Sequence, residues 1–377
     1  MKDKYYIIHK GIARWKLNNS FENWLSYKAD KSEFWKFVYV SYYKWFDRKY
    51  YKVGLKYLNL YLDLFKKQWE GLNRDYIIRD MIYSLHRFGA DFQDYWNYNF
   101  LGASAFGRDS FVVDKLRYGY DDILSTPETI KLVSDKYACY MKLCSYYKRD
   151  VLGCYDEISF VEFLKFVKKN HTFVCKPISG DCGKGVRKII LADADIKSFF
   201  YENIKIGAFI VEELIDQHES MSKIHVQSVN TVRVVTFVLK GRVEILAASL
   251  RMGVGDSVTD NAGNGGIFSS IDPETGIVIC KARDYKGNEY VKHPDSKIVI
   301  PGFQIPAWDE LMGVAKEVAL ELENATLISW DFSYSSKGWV IVEVNTGGDW
   351  IILQAAQKEP MKKKLYKLID ELQNEKR

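Results

Sequence analysis

The sequence predicts an α+β protein, with helices gathered at the start and an antiparallel, strand-rich remainder. Three observations carry that prediction. No proline occurs before Pro127, and apolar residues across 1–100 recur every three or four positions. From Thr172 onward, β-branched runs alternate with glycine-rich turns. Close to the end, Ile328-Ser-Trp-Asp-Phe-Ser-Tyr334 and Trp339-Val-Ile-Val-Glu-Val-Asn345 read as two strands joined by Ser335-Ser-Lys-Gly338.

At 377 residues the chain is long enough for two cores, and the pattern suggests boundaries after 105 and 214. The segment 1–105 reads as a helical region, 106–214 as a linker and small lobe, and 215–377 as a large lobe. An apolar fraction of 47% with 27% charged residues describes a soluble globular chain. The opening MKDKYYIIHKGIARWK lacks the apolar core of a signal peptide, and no apolar run is long enough to span a bilayer. Cys139, Cys144, Cys154, Cys175, Cys182 and Cys280 show no zinc spacing, which favours free thiols in a reducing cytoplasm.

Charge is uneven. Residues 1–70 hold 15 Lys/Arg against 7 Asp/Glu, a net of +8 against +5 for the whole chain, so the remainder is net negative at −3 and the basic share sits at one end. That segment is dense in aromatics, as in Phe34-Trp-Lys-Phe-Val-Tyr-Val-Ser-Tyr-Tyr-Lys-Trp-Phe46. An ordinary packed helical subdomain explains it most simply. A peripheral contact with an anionic membrane surface is the second reading. Nucleic acid is disfavoured because no binding motif accompanies the charge.

Further along, Gly89–Gly119 reads as a connector. Thr126-Pro-Glu starts a helix, with Thr as cap and Pro in the first turn. Residues 160–169 form an amphipathic helix, and Thr172–Pro177 a strand that holds Lys176 within an apolar run. Ile178-Ser-Gly-Asp-Cys-Gly-Lys-Gly-Val186 follows, a loop whose backbone N–H groups suit phosphate oxygens. It is not a Walker A loop, since the glycine spacing and the residue after Lys184 are wrong. Next come the strand Ala208–Ile215 with its two acids, a strand over 228–237 containing Arg233, and Val243–Leu250. The polar glycine-framed loop 251–266 then reads as a binding loop.

In the closing hairpin, strand alternation puts Ile341, Glu343 and Asn345 on one face and Val342 and Val344 on the other. Asp331 reaches the same spot if the strands pair. Two carboxylates and an amide oxygen would suit magnesium. The solvent face of an edge strand would look the same, and the hairpin alone leaves both readings open.

Taken in order, Asp135-Lys136, Lys176-Pro177 with its glycine loop, Val211-Glu-Glu-Leu214, Asn230-Thr-Val-Arg233, Trp330-Asp331 and Val342-Glu-Val-Asn345 resemble the ATP-grasp superfamily. In that fold, two α+β lobes hold ATP between them. Ser228-Val-Asn-Thr-Val-Arg233, Asp260-Asn261 with Gly265-Gly266, and Ile300-Pro-Gly-Phe303 with Pro306-Ala-Trp308 resemble in particular the sugar-transfer-associated ATP-grasp proteins, found beside genes for bacterial surface polysaccharides. The resemblance covers about residues 126–355.

The resemblance implies ATP and Mg²⁺ as cofactors. Lys136 and Lys176 would touch the phosphates, under a lid from Ser179 through Gly180 and Gly183 to Gly185. Glu212, Glu213 and Leu214 would form the hinge beside adenine, and Glu219, with His218 as rival, would hold the ribose. Arg233 and Arg251, with Lys176, would act on the transferred phosphate or the acceptor carboxylate. Asp331, Glu343 and Asn345 would bind magnesium. Asn230, Asn261, Gly265 and Gly266 are candidate substrate contacts. Asp181 and Cys182 depart from the small or hydroxylated residues expected in the lid, and Asp349 has no assigned role.

The implied chemistry is carboxylate–amine or carboxylate–hydroxyl ligation through an acyl phosphate, in which positioning and cations do most of the work. A small-molecule carboxylate would be joined to an amine or hydroxyl acceptor, with a sugar or lipid-linked glycan precursor as one partner. Phosphotransfer to a sugar hydroxyl and a non-catalytic nucleotide-binding scaffold are the alternatives. No nucleophile–base pair is evident in the sequence.

Overall fold

The computed structural model describes residues 6–9, 12–17, 19–46, 48–180, 183–190, 195–322 and 324–375. The chain opens on two short strands, β1 (Tyr6–His9) and β2 (Ile12–Trp15), paired antiparallel with Tyr6 opposite Trp15. This corrects the expectation of helix from the start: the aromatic and β-branched residues here suit a hairpin, and the segment is too short to establish a helical period.

Helices follow: α1 (Ser20–Ala29), α2 (Glu33–Phe46), α3 (Arg48–Leu64), α4 (Lys66–Trp69), α5 (Arg74–Phe88), α6 (Phe92–Asn97), α7 (Ala105–Asp109) and α8 (Asp114–Leu124). Their ends follow side-chain chemistry. Asn19 and Asn73 cap α1 and α5 through their amide oxygens, and Gly89, at φ 78°, closes α5 in the left-handed region. Asp91 and Asp94 form a reciprocal capping box at α6.

Thr126 caps α9 (Pro127–Ser134), with Pro127 in the first turn as expected. Asp135 then ends α9 and caps α10 (Lys136–Tyr147), its Oδ1 accepting from the N–H groups of Tyr137 and Ala138. Lys136 is thereby held at a helix start.

The next elements are β3 (Val151–Cys154), α11 (Phe160–Lys169), β4 (Thr172–Pro177), β5 (Arg187–Ile190), α12 (Ile196–Ile206) and β6 (Phe209–Glu213). The strands make a four-stranded antiparallel sheet in the order β3-β6-β4-β5. Phe163, Phe166, Phe173, Phe200 and Phe209 fill its core beneath α11 and α12. After α13 (Glu219–Ser222) come β7 (Thr231–Leu239), β8 (Arg242–Met252), β9 (Ile267–Ile271), β10 (Ala282–Arg283) and β11 (Glu289–Tyr290). Helix α14 (Trp308–Glu321) precedes β12 (Leu327–Ser335) and β13 (Gly338–Thr346). These strands form a seven-stranded antiparallel sheet, β11-β10-β9-β8-β7-β12-β13. The chain closes with α15 (Trp350–Ala355) and α16 (Lys362–Glu375).

The chain divides into two compact units: 1–123 with 285–288 and 349–377, and 124–284 with 289–348. In the first, Asp80 on α5 is fully buried and binds Lys36 Nζ at 2.9 Å, Arg108 Nη2 at 2.8 Å and the Tyr95 hydroxyl at 2.7 Å. The closing helices join this unit through Gln354. Its Oε1 accepts from the N–H of Val112 and Met361, and its Nε2 donates to the Val112 carbonyl.

The second unit holds both larger sheets. The β12–β13 hairpin forms as the sequence predicts, with Ser335 opposite Gly338 at the turn. One detail differs. Asp331 pairs with Glu343 but Phe332 pairs with Ile341, so Val342 is an extra residue, a β-bulge. The bulge interrupts the expected alternation: Glu343 and Val344 still face opposite sides, but Ile341 and Val342 exchange theirs. Ile341 joins Val344, Trp330 and Phe332 in the core, while Val342 turns to the other side beside Glu343.

Candidate functional site

Within the second unit lies a cleft of about 350 Å³, bounded by β4, the glycine loop after it, the end of β6, and the polar face of the large sheet. Lys136, Lys176, Lys184, Lys188 and Arg251 line it, as do Val174, Val186, Ile215 and Val342. Cations and apolar walls thus share one opening.

The lysines are held by specific partners. Lys176 projects from β4 to Glu212 Oε1 at 2.9 Å, and Arg149 grips the other Glu212 oxygen at 2.8 Å. Glu212 is 4% exposed, and burial alone would raise its pKa. Lys176 and Arg149 overcome that and hold it at about 2, so Glu212 is a carboxylate throughout the physiological range. Lys136 donates to the Gly180 carbonyl at 2.7 Å and lies 3.6 Å from Glu343 Oε1, while its backbone N–H meets the Ile178 carbonyl. The start of α10 is therefore stitched to the glycine loop. Ser179, Gly180 and Gly183 line the cleft. Gly185 does not, but it shapes the loop: its φ is +77°, and a Cβ there would come within 2.9 Å of Pro177. Asp181 and Cys182 lie outside the described residues.

At the floor sits an acid between two arginines. Strand register puts Asp331 opposite Glu343 on one side and Arg233 on the other, and Thr231 opposite Arg251 in the next pair. Arg233 meets both Asp331 oxygens at 2.8 Å, and Arg251 Nη1 reaches Oδ2 at 2.7 Å. Asp331 is 2% exposed; burial would raise its pKa, but the two guanidinium groups pull it to about 2. Arg251 and Asp331 line the cleft and Arg233 stands behind them. The family resemblance assigns the arginines to the transferred phosphate or the acceptor carboxylate and Asp331 to metal; in the structure the three are bound to one another.

The remaining sequence candidates divide. Glu212, Glu213, Leu214, Glu343 and Asn261 line the cleft. The Glu213 N–H is already bonded to the Asp150 carbonyl, so the open backbone of the hinge begins at Leu214. Glu219 and His218 are not among the lining residues; Asp216 and Gln217 are. Asn230 is buried, and its amide ties down the carbonyls of Met221 and His225. Gly265 and Gly266 shape their loop, and a Cβ on Gly266 would come within 2.5 Å of the Asp260 carbonyl. Asn345, two residues beyond Glu343, has a buried amide nitrogen with no hydrogen-bond partner.

Sequence reasoning missed Arg149, whose position directly after α10 gave no periodic signal. It also missed a serine–histidine pair. His225 Nε2 lies 2.8 Å from the Gly255 carbonyl, which only accepts, so this nitrogen carries the proton. In the neutral ring Nδ1 is then an acceptor, and Ser228 Oγ donates to it at 2.8 Å. Ser228 lines the cleft. The pair lies three residues apart, a spacing too common to stand out.

A hard cation fits this floor in kind. Asp331 and Glu343 are cross-strand neighbours on the cleft, and both offer oxygen donors. Glu343 is the less committed, partly exposed and paired only loosely with Lys136. Among the described residues no three His, Cys, Asp or Glu side chains form a self-contained metal group. Magnesium is met by such sparse sites, because phosphate oxygens and water complete its shell.

The sequence profile described as sugar-transfer associated ATP-grasp matches residues 116–370. No curated protein matches the chain. Solved structures with similar folds include an ADP complex of N5-carboxyaminoimidazole ribonucleotide synthetase, at 12% identity and TM-score 0.37, covering 58% of this chain and 46% of that one. The ATP-grasp ligase PsnB with a minimal precursor is 12% identical at TM-score 0.41, covering 70% and 68%. The D-alanyl-alanine synthetase A of Vibrio cholerae O1 is 10% identical at TM-score 0.40, covering 64% and 65%. The chain thus spans 46% of the length of the first of these. With likenesses this distant, the family rests on the profile match, which takes in both sheets and the whole cleft. The chain belongs to the sugar-transfer-associated ATP-grasp family, and its α+β fold is the ATP-grasp fold preceded by a helical region.

Proposed function

We propose that the protein is an ATP- and Mg²⁺-dependent ligase that activates a carboxylate as an acyl phosphate and transfers it to an amine or hydroxyl. One observation carries this reading: the glycine loop, Lys136, Lys176 and the Asp331–Arg251 pair all line a single cleft. Lys136 and Lys176 would meet the phosphates, and the apolar wall of Val174, Val186 and Ile215 would take the base beside Leu214. Arg251, steadied by Asp331, would face the transferring phosphoryl group or the acceptor carboxylate. Glu343 and Asn345, with Asp331, would hold magnesium, which supplies charge neutralisation for phosphoryl transfer when bound. Glu212 serves Lys176 in this reading, fixing its ammonium rather than touching nucleotide.

Family membership supports a sugar or glycan precursor as one reactant, joined to a small carboxylate or amine, within surface polysaccharide synthesis. The first test is thermal unfolding with ATP and Mg²⁺. At a hundred times Kd a ligand adds about 2.7 kcal/mol to native stability. The wild type is expected to shift, and Glu343→Gln to lose the magnesium-dependent part. Release of ADP that requires both a carboxylate and an amine or hydroxyl would then support ligation. Release with a sugar hydroxyl alone would mean phosphotransfer. A wild type that shifts with ATP but releases no ADP with any acceptor would move the nucleotide-binding scaffold reading to first place, and one that does not shift at all would overturn the ATP site itself.

A further inference from the structure

The first unit carries a surface that the nucleotide cleft does not explain. Phe21 and Trp24 on α1, with Phe34 and Phe46 on α2, are between 46% and 78% exposed. They are not scattered. Phe21 stacks on Trp24 at 5.8 Å and meets Tyr42 at 5.7 Å; Tyr42 stacks on Phe46 at 4.8 Å; Trp24 and Phe34 both pack edge-on to Trp35. The result is one aromatic platform across two helices. Each helix also buries residues of its own, Leu25 and Ala29 on α1 and Tyr39, Val40 and Tyr43 on α2. The exposed rings border that buried side and remain open to solvent, and a contiguous exposed patch of this kind marks a contact surface.

We infer that this face docks on an anionic lipid bilayer. The charge around it selects that occupant. Lys31 and Lys44 are exposed and Lys28 is half-buried, with the ammonium groups of Lys28 and Lys31 over the Trp24 and Tyr27 rings. Of the nearby acids, Glu22 is buried, Asp30 is bound by Arg87, and Glu33 is paired with Lys36. The whole stretch 1–70 carries eight more basic than acidic residues. Apolar rings at the centre with lysines at the rim are the pattern of an interfacial element, in which rings enter the headgroup boundary and ammonium groups meet lipid phosphates. No described helix is long and apolar enough to cross a membrane.

The test is co-sedimentation of the full chain with vesicles of phosphatidylcholine plus phosphatidylglycerol, and of phosphatidylcholine alone. The variant is Phe21→Ser/Phe34→Ser/Phe46→Ser, whose positions are exposed enough to leave the fold intact; circular dichroism and the ATP-dependent thermal shift check that. The wild type is expected to pellet with the anionic vesicles and more weakly with the neutral ones. The variant should lose at least about tenfold in partition, the equivalent of about 1.4 kcal/mol. Wild type that stays in the supernatant with anionic vesicles overturns the inference, as does a folded variant that pellets equally. So does a concentration-dependent dimer, abolished by the variant, in protein that ignores vesicles, since the face would then belong to a second copy.

Discussion

Asp80 and Asp331 are the same chemical object in two settings. Each is a buried carboxylate held by two cations, Lys36 and Arg108 in one case and Arg233 and Arg251 in the other. Each has its pKa lowered, because the cations outweigh the burial that would raise it. Their surroundings separate them. Asp80 also takes the Tyr95 hydroxyl and is fully buried, with Lys36 and Arg108 lying over the Tyr83 ring. Asp331 lines a cleft, with Glu343 alongside and Arg251 at the opening. A buried ion triad is therefore not in itself a site. What gives it chemistry is access for a ligand to the cations it steadies.

That contrast is sharpest in a pair of substitutions. Asp80→Asn leaves Arg108 without a counter-charge inside the core and Lys36 with Glu33 alone, where cleft water cannot reach them. A loss of about 3–5 kcal/mol in denaturant unfolding is expected. Asp331→Asn should cost less, about 1–3 kcal/mol, since Arg251 also faces Asp260 and the cleft can hydrate it. Its larger effect should be on turnover, a fall of about a hundredfold or more in ADP release at temperatures where the protein is folded. Equal losses of stability with turnover untouched would make the two aspartates equivalent, and the comparison would fail.

Acid titration reads the same pair by another route. Asp331 and Glu212 stand at about 2 in the folded protein, below the usual carboxylate values of about 4. The unfolded chain therefore takes up their protons first. Their stabilisation is complete above about pH 4 and is lost as pH falls towards 2, at up to about 1.4 kcal/mol per pH unit for each group. Asp331→Asn should flatten the measured slope in that window by one proton. An unchanged slope would mean that Asp331 does not gain its charge stabilisation from the arginines.

The smallest effect has the opposite sign. Burial and the neighbouring Asp114 push Asp91 above its unfolded value. The folded state then holds the extra proton, and stability falls as pH rises above the ordinary carboxylate range. Asparagine caps a helix as well as aspartate does. Asp91→Asn should thus be neutral or stabilising by up to about 1 kcal/mol at pH 7, with no change at pH 3. Destabilisation at pH 7 would show that the charge, not the cap, matters at that helix start.

Much of this was legible in the sequence because it is local. Thr126-Pro127 marked a helix start, residues 160–169 a helix and Thr172–Pro177 a strand, and each lies where the pattern put it. The hairpin turn at Ser335–Gly338 and the glycine loop after Lys176 were readable for the same reason: glycine, proline and period-two alternation act over a few residues. The bulge at Val342 was not readable, because a strand carries no mark of where its partner skips a residue. Nor was the hairpin at Tyr6–Trp15, too short for its pattern to outweigh the helical run that follows.

The sequence by itself determined the α+β class, most of the site's residue types and the surplus of aromatics and lysines at the start. These follow from short-range spacing and composition. Only the tertiary structure decided that Asp331 clasps Arg233 and Arg251, from 98 and 80 residues away, and that Gln354 ties the closing helices to the first unit. It also decided that the aromatic residues of α1 and α2 divide between a buried face and an exposed one. Pairings across such distances are chosen by which strands become neighbours and which faces find a core, and no local pattern records that choice.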